Sequence, residues 1–335
     1  MAQKTYGIDF GTGTIKVYKK GQGIVLHERN VVSTVDKEKK TVAIGKEAYE
    51  MFEKVPPSIN VSFPISHGII TDIDDMTSLC DYMMYEVSGK KRLKGFEFYI
   101  AVPADINEVD RNAYARIVTK GECKPKKVFL IDKPIADAYG LGLDVEKANG
   151  ILIVDMGADT TEVSILSRGG IVVTNLLPYG GNYFDEQIMN YIRKQYKFVI
   201  GKKTSEQVKK SLIAAYPTDD SITVTGRNII KGLPDEIKIA SEEVYPLVAD
   251  VFHEIVATVR RMLEHTPPEI SHEIVNNGIY LTGGSSGIRG LDQLIANETY
   301  LKVNTARSAQ KTVINGLGYL TEHSKLAQQY AVLYK

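Results

Sequence analysis

Two short stretches of the chain carry residue types that could grip a phosphate. The first is Asp9-Phe10-Gly11-Thr12-Gly13-Thr14, and the second is Asp155-Met156-Gly157-Ala158-Asp159-Thr160-Thr161. Glycines let a backbone approach a ligand closely, and successive N–H groups of a tight turn form a concavity that suits phosphate oxygens. Thr12 and Thr14 add hydroxyl donors, and Lys16 adds a positive charge. The leading carboxylates, Asp9 and Asp155, would repel phosphate directly, but each can hold Mg²⁺ through water, because that ion keeps much of its hydration shell. A third stretch, LTGGSSG at 281–287, leaves an apolar run. It is expected to open a helix whose N–H groups and dipole face a ligand. There Gly283 and Gly284 would let a flat base lie on the backbone, beside Ser285, Ser286 and Gly287. Each turn alone is also an ordinary hairpin or linker. Their recurrence at corresponding places favours a polyphosphate held in a cleft between two halves of the chain. No G-x-x-x-x-G-K-[ST] motif is present, and both phosphate-type turns lead into strands rather than helices, so a P-loop and a dinucleotide fingerprint are excluded.

The elements needed to position these turns follow from periodicity. Residues 5–10 and 14–18 read as two strands joined by a tight turn, and 150–180 as three strands with Gly-marked turns. Between them lie a strand and short helix at 41–56, a helix at 76–89, and a strand at 96–106 leading into a helix. Asn107 with Asp110 three residues on has the pattern of an N-terminal cap, and Asp105 suits helix entry. A strand and a helix with small residues on one side span 126–143. The second half offers helices at 182–196, 205–217 and, mostly as one long helix, 241–268, with Pro246 in its first turn. A short helix at 272–278, the strand–turn–helix of 279–295 and a helix at 313–320 with two glycines on one side complete the chain. Alternating strands and helices in two related halves imply an α/β protein with a boundary near 140–150.

The chain has 335 residues, 43% hydrophobic and 24% charged, as expected for globular domains, and its length suggests two of them. Lys+Arg and Asp+Glu balance at 41 each, so no net field recruits nucleic acid. Cys80 and Cys123 lack metal-ligand spacing and read as reduced, packed thiols, which fits a cytoplasmic protein. No apolar run approaches the ~20 residues of a membrane span.

The ordered set of motifs resembles the actin–Hsp70–sugar-kinase superfamily. Its two phosphate segments, two connecting segments and adenosine segment correspond to 7–18, 152–166, 129–143, 313–320 and 278–292. Within it, the text GGIVVTNLLPYGGNYFDEQIMNYIRKQY, IGKKTSEQVKKSLIAAYP and EHTPPEISHEIVNNGIYLTGG resembles MreB, the bacterial actin, along nearly the whole chain. The resemblance implies an actin-like α/β fold. Its two related domains, 1–140 and 141–312, each have a mixed sheet flanked by helices. Small subdomains are expected at about 30–70 and 182–245, and the helix at about 313–330 would return to the first domain. ATP or ADP with Mg²⁺ would occupy the interdomain cleft, and subunits would assemble into protofilaments paired antiparallel, with paralogous subunits as further partners.

Carried over by residue, Asp9, Gly11, Thr12, Gly13 and Thr14 match the first phosphate loop, and Asp155, Gly157, Ala158 and Asp159 the second, where the family usually reads D-x-G-G-G. Asp159 sets a carboxylate near phosphates, so its side chain is expected to turn toward metal, water or solvent. Lys16 is more like actin, whose lysine reaches phosphate. Glu206 and Lys209 fall where the family contacts ribose or base, and Gly284, Ser285, Ser286 and Gly287 match the adenine-side loop.

One departure bears on catalysis. The family usually reads E-E-P where this chain has Asp132-Lys133-Pro134, and the second glutamate positions the attacking water. A protonated lysine donates hydrogen bonds but cannot accept one or take a proton. Its reference pKa is ~10.4, and adjacent phosphates and Asp132 would favour the charge. Losing a positioned acid/base group costs ~10²–10⁴-fold in rate. Nucleotide binding with slow hydrolysis is therefore expected, with Thr160 retained on the water side and Asp159 or Asp137 as candidate substitutes. The same change resembles MreB paralogues of wall-less, swimming spiroplasmas, which would turn the role from wall synthesis toward cell helicity or motility. The stretch SGKKRLKGFEF, 88–98, where four basic residues accompany Leu93 and Phe96, leaves two readings open: contact with the inner face of the cell membrane, or a solvated basic hairpin with Phe96 in the strand that follows. The alternative functions are a small-molecule, sugar-type kinase, with Asp105 as its base, and a non-polymerising nucleotide-binding regulator.

Overall fold

Every residue of the strand Thr5–Phe10 is buried, which places it inside a sheet covered on both faces. The computed structural model describes residues 4–35, 40–89 and 93–334. Two units are distinguished: Met1–Ala148 with Leu166–Thr174 and Gln310–Lys335, and Asn149–Ile165 with Asn175–Ala309.

In the first unit a six-stranded sheet runs Val332–Tyr334, Lys127–Asp132, Glu97–Val102, Thr5–Phe10, Thr14–Lys19, Gly23–Arg29 in spatial order. The three inner strands are parallel, and the Thr14–Lys19 strand returns antiparallel beside Thr5–Phe10, pairing Asp9 with Lys16. The first expected hairpin therefore sits in the sheet with its turn at Gly11–Gly13. A separate antiparallel sheet of Lys40–Ile44, Val32–Val35 and Ile59–Ser62 follows the last strand of the hairpin system.

Helices Ile73–Ser88 and Glu108–Lys120 pack near this sheet. Asp72 caps the first by accepting from the N–H groups of Asp74 and Asp75. Asn107 caps the second, accepting from Asp110 N at 2.9 Å, while Asp105 is exposed outside the helix. Small residues bring Lys133–Gly140 and Thr312–Glu322 together backbone to backbone. A Cβ added to Gly316 would lie 1.7 Å from the Ala136 carbonyl oxygen, and one added to Gly140 would lie 2.0 Å from that of Thr312. Any larger residue would separate the helices. The chain end then pairs with the sheet, after a helix interrupted between Glu322 and Ser324.

The second unit repeats the plan. Its strands Ile151–Met156, Ile279–Thr282 and Val303–Thr305 lie side by side in that order and are parallel. Helices Gly181–Tyr196, Lys202–Leu212, Ala249–Glu264, Pro268–Asn277 and Leu291–Thr299 supply the rest of a core built around Phe184, Ile188, Val208, Phe252 and Ile255. The single long helix expected over 241–268 is instead broken. Ser241–Val244 gives way to a 3₁₀ turn at Tyr245–Leu247 before Ala249–Glu264. Pro246 has no N–H for an α-helical bond and ends the first segment rather than starting the second. The helix expected at 205–217 spans Lys202–Leu212. A hairpin of Ser221–Asn228 and Pro234–Ala240, extended by Phe198–Val199, makes a small sheet that periodicity had not suggested.

In the stretch 88–98, Lys90, Lys91 and Arg92 lie outside the described residues. Leu93–Lys94 pairs in parallel with Cys123–Lys124. Of the two readings of Phe96, an apolar tip or a residue packed with the following strand, its burial in the core agrees with the second, its ring 5.6 Å from that of Tyr6. Cys80 and Cys123 are buried free thiols. Among the described residues no helix is long and apolar enough to cross a membrane.

Candidate nucleotide site

The residues singled out in the second unit converge on one place. Gly157 N donates to Thr160 O at 2.8 Å, closing the turn between Ile151–Met156 and Thr161–Ser167. The carbonyls of this turn face the loop after Ile279–Thr282: Ser285 N donates to Met156 O at 2.9 Å and Ser285 Oγ to Gly157 O at 2.7 Å. They also receive the start of the helix Gly181–Tyr196, since Gly181 N reaches Gly157 O and Asn182 N reaches Ala158 O at 2.7 Å. Lys209 closes the group from the helix Lys202–Leu212. Its Nζ donates to Gly181 O at 2.9 Å and pairs with Asp185 Oδ2 at 2.8 Å. Burial pushes the Asp185 carboxyl above its ordinary pKa, against the pull of Lys209.

Gly157, Ala158, Ser285 and Lys209 are thus brought together, and the turn's peptide planes are fixed by bonds to its carbonyls. Each peptide unit is planar and trans, so a carbonyl held on one side turns the following N–H to the other. Asp159 departs from its expected orientation: its carboxylate is buried and accepts from Asn182 Nδ2 at 2.5 Å, which turns its charge toward that amide. Glu206 lies one turn before Lys209 and bonds Lys210 at 2.7 Å.

The 283–287 loop differs from its expected form. The helix begins only at Leu291, after a left-handed Gly290, so no helix N-terminus stands at Gly283–Gly287. Local turns take its place, with Ser286 Oγ bonding Gly283 O at 2.7 Å. Gly283 itself is irreplaceable on steric grounds. Its φ is +91°, and a Cβ there would come within 2.3 Å of both Asp155 Oδ1 and Met156 O. Gly284 and Gly287 are exposed. Sequence reasoning missed Gly180, Gly181, Asn182 and Asp185. The signal available was the paired glycine in PYGGN, directly before an amphipathic helix.

In the first unit, Thr12, Gly13 and Thr14 are half-buried at the tip of the hairpin. Lys16, expected on phosphate, instead pairs with Asp9, Nζ to Oδ2 3.1 Å, and both side chains are buried. Lys133 is half-buried at the first position of its helix, with Asp132 before it and Pro134 after it. A positive side chain there opposes the helix dipole. Asp132, expected to support the Lys133 charge, bonds Arg111 Nη1 at 2.5 Å. Asp137 is buried in the same helix and Thr160 half-buried at the second turn.

Among the described residues no three His, Cys, Asp or Glu side chains gather into a metal cage. Single carboxylates at the ends of buried strands, Asp9 and Asp155, fit Mg²⁺ nonetheless, because that ion takes one or two carboxylates and fills its shell with water and phosphate oxygens.

The family model described as MreB/Mbl protein matches residues 3–329. The cell shape-determining protein Mbl of Bacillus subtilis is 31% identical over 325 residues, 96% of this chain and 97% of that protein. MreB of Escherichia coli K12 is 34% identical over 329 residues, 96% and 94% of the two chains. The crystal structure of MreB5 of Spiroplasma citri bound to ADP superposes with a TM-score of 0.90 at 31% identity, covering 98% of this chain and 99% of that one, and the AMPPNP-bound form matches equally. The MamK double helical filament, at 19% identity and TM-score 0.79, shares the fold. The fold is actin-like, and the chain belongs to the MreB/Mbl family.

Proposed function

We propose that this chain is a nucleotide-controlled, actin-like cytoskeletal subunit that binds ATP and ADP, assembles into filaments and hydrolyses ATP slowly. The observation that carries it is the convergence of the second turn, the Ser285 loop, Gly181 and Lys209, with a matching Asp-Gly-Thr hairpin in the first unit. MreB5 of Spiroplasma citri, similar over nearly its whole length, has been crystallised with ADP and with AMPPNP. Phosphate would be held by N–H groups of Gly11–Thr14 and Gly157–Asp159, and the adenosine side by Gly283–Gly287, Glu206 and Lys209. Mg²⁺, held through water by Asp9 and Asp155, would neutralise phosphate charge. Lys16 would then exchange its bond to Asp9 for one to phosphate.

Slow hydrolysis follows from Lys133. The protein's part in phosphoryl transfer is to place the attacking water and stabilise charge. Lys133 can stabilise charge but cannot accept the water's proton. Thr160 remains to orient that water, and Asp155 to orient the metal's own waters. The relatives' role in cell shape extends here to shape or helicity, through filaments that pair antiparallel or incorporate paralogous subunits at the cytoplasmic face of the membrane. Membrane contact through 88–98 would rest on its basic residues, since Phe96 is in the core. Sedimentation with Mg²⁺ and ATP, ADP or AMPPNP tests the reading. Nucleotide-dependent pelleting with little phosphate release supports it, and sugar-stimulated turnover without polymer contradicts it.

A further inference from the structure

Asn30 is completely buried at the end of the strand Gly23–Arg29, and it holds the first phosphate-type turn at two points. Its backbone N–H donates to Gly13 O at 3.3 Å, and its Nδ2 donates to Gly11 O at 3.1 Å. Holding those two carbonyls fixes the Gly11–Thr12 and Gly13–Thr14 peptide planes. In a trans peptide the N–H groups of Thr12 and Thr14 then point away from Asn30. Asn30 Oδ1 has no partner among the described residues. A buried acceptor without a partner is costly. The amide therefore stands there for its donor, and the donor is spent on the turn.

The residues around Asn30 are tied to the opposite side. Val31 O accepts from Gly45 N at 2.8 Å, and Glu28 Oε1 accepts from Lys46 N at 2.8 Å. The Arg29 guanidinium lies 4.5 Å from the centre of the Tyr49 ring. Gly45 and Lys46 open the helix Lys46–Met51, directly after the strand Lys40–Ile44 of the small sheet, and Val32, next to Val31, begins that sheet's middle strand. Four consecutive residues thus grip the turn with one and, with the other three, the start of the helix Lys46–Met51, which directly follows the small sheet's strand Lys40–Ile44.

We propose that Asn30 is a positioning residue for the Gly11–Thr14 turn, and that Glu28–Val31 form a joint transmitting occupancy of that turn to the small sheet Lys40–Ile44, Val32–Val35, Ile59–Ser62. This rests on the nucleotide reading above. A phosphate drawing on the N–H groups of the turn tightens the same peptide planes whose carbonyls Asn30 holds. The joint passes that tightening to Gly45 and Lys46 through bonds already made.

The test is hydrogen–deuterium exchange on the intact chain, with and without saturating AMPPNP and Mg²⁺, alongside titration of a fluorescent ATP analogue. In the wild type, AMPPNP slows exchange in 6–18, 152–165 and 40–62. Asn30→Ala weakens binding by about three- to tenfold, the range expected for one lost hydrogen bond. At saturation it keeps protection in 152–165 and loses it in 40–62. Glu28→Ala removes the side-chain bond on the far side of the joint and none at the turn. It binds within about twofold of wild type and likewise loses protection in 40–62, an effect that a merely structural role for Asn30 would not produce. If Asn30→Ala does not fold, the Glu28→Ala result decides. Protection of 40–62 that persists in both variants overturns the joint, as does a wild type protected in 6–18 with 40–62 unchanged. A wild type protected in neither 6–18 nor 152–165 overturns the nucleotide reading and the joint together.

Discussion

Ser285 Oγ donates to the carbonyl of Gly157 at 2.7 Å, joining two loops that are 128 residues apart in the chain. With Ser285 N on Met156 O, one serine fixes two successive carbonyls of the second phosphate-type turn. Ser285→Ala keeps the backbone bond and removes the other. A half-buried hydrogen bond contributes about 0.5–1.5 kcal/mol net. We expect a loss of that size in urea unfolding and a weaker ATP-induced rise in Tm than in wild type.

Gly283 and Gly287 form a matched pair of controls. Gly283→Ala combines a positive φ with a Cβ 2.3 Å from Asp155 Oδ1, whereas a Cβ at Gly287 meets nothing within 4 Å. Strained backbone of this kind costs about 1–3 kcal/mol before the steric clash is counted. Gly283→Ala is expected to destabilise the protein by at least that much and to abolish nucleotide binding. Gly287→Ala should unfold at the wild-type denaturant concentration. Equal effects of the two substitutions would contradict the geometry.

The Glu243 carboxylate makes stability depend on pH. Burial pushes its pKa up, but Tyr196 OH, Ala240 N–H and Tyr191 OH all donate to it and hold it below its ordinary value of 4.5. A carboxylate with a depressed folded-state pKa contributes stability that is present above the unfolded value and is lost as pH falls through the folded one. Urea midpoints for the wild type should therefore fall on acidification below about pH 4.5. In Glu243→Gln this component of the slope should be absent, with a lower midpoint at pH 7.

Lys133→Glu restores an acceptor at the first position of its helix, where a negative side chain also suits the dipole. Single-turnover phosphate release should rise by at least tenfold, within the ~10²–10⁴-fold range of a positioned acid/base group. An unchanged rate would show that Lys133 is not what limits hydrolysis.

Much of the framework was legible in the sequence because it is local. The strands around Asp9 and Asp155, the Asn107 cap and the small-residue face shared by Gly140 and Gly316 follow from period, capping chemistry and residue size. What was not legible depends on tertiary contacts. Asn182 captures Asp159 and Arg111 captures Asp132, each across a separation that no local pattern encodes, whereas the Asp9–Lys16 pair depends on the register of a hairpin whose two strands alone were legible. Phe96 has the same composition signal whether it anchors to lipid or packs against Tyr6, and burial decided it. Pro246 marked a helix start by rule but ended one, because the residues before it had already begun to wind. The hairpin at Ser221–Ala240 was missed because each alternating run is short, with only Ile222 and Val224 on one strand and Ile237 and Ile239 on the other, among otherwise polar residues.

The most direct measurement is an equilibrium titration of a fluorescent ATP analogue against the intact chain with and without Mg²⁺. The account predicts saturable binding that Mg²⁺ strengthens, that unlabelled ATP and ADP displace, and that Gly283→Ala abolishes. Absence of binding by the folded wild-type chain at every Mg²⁺ concentration, or binding undiminished in Gly283→Ala, would contradict it.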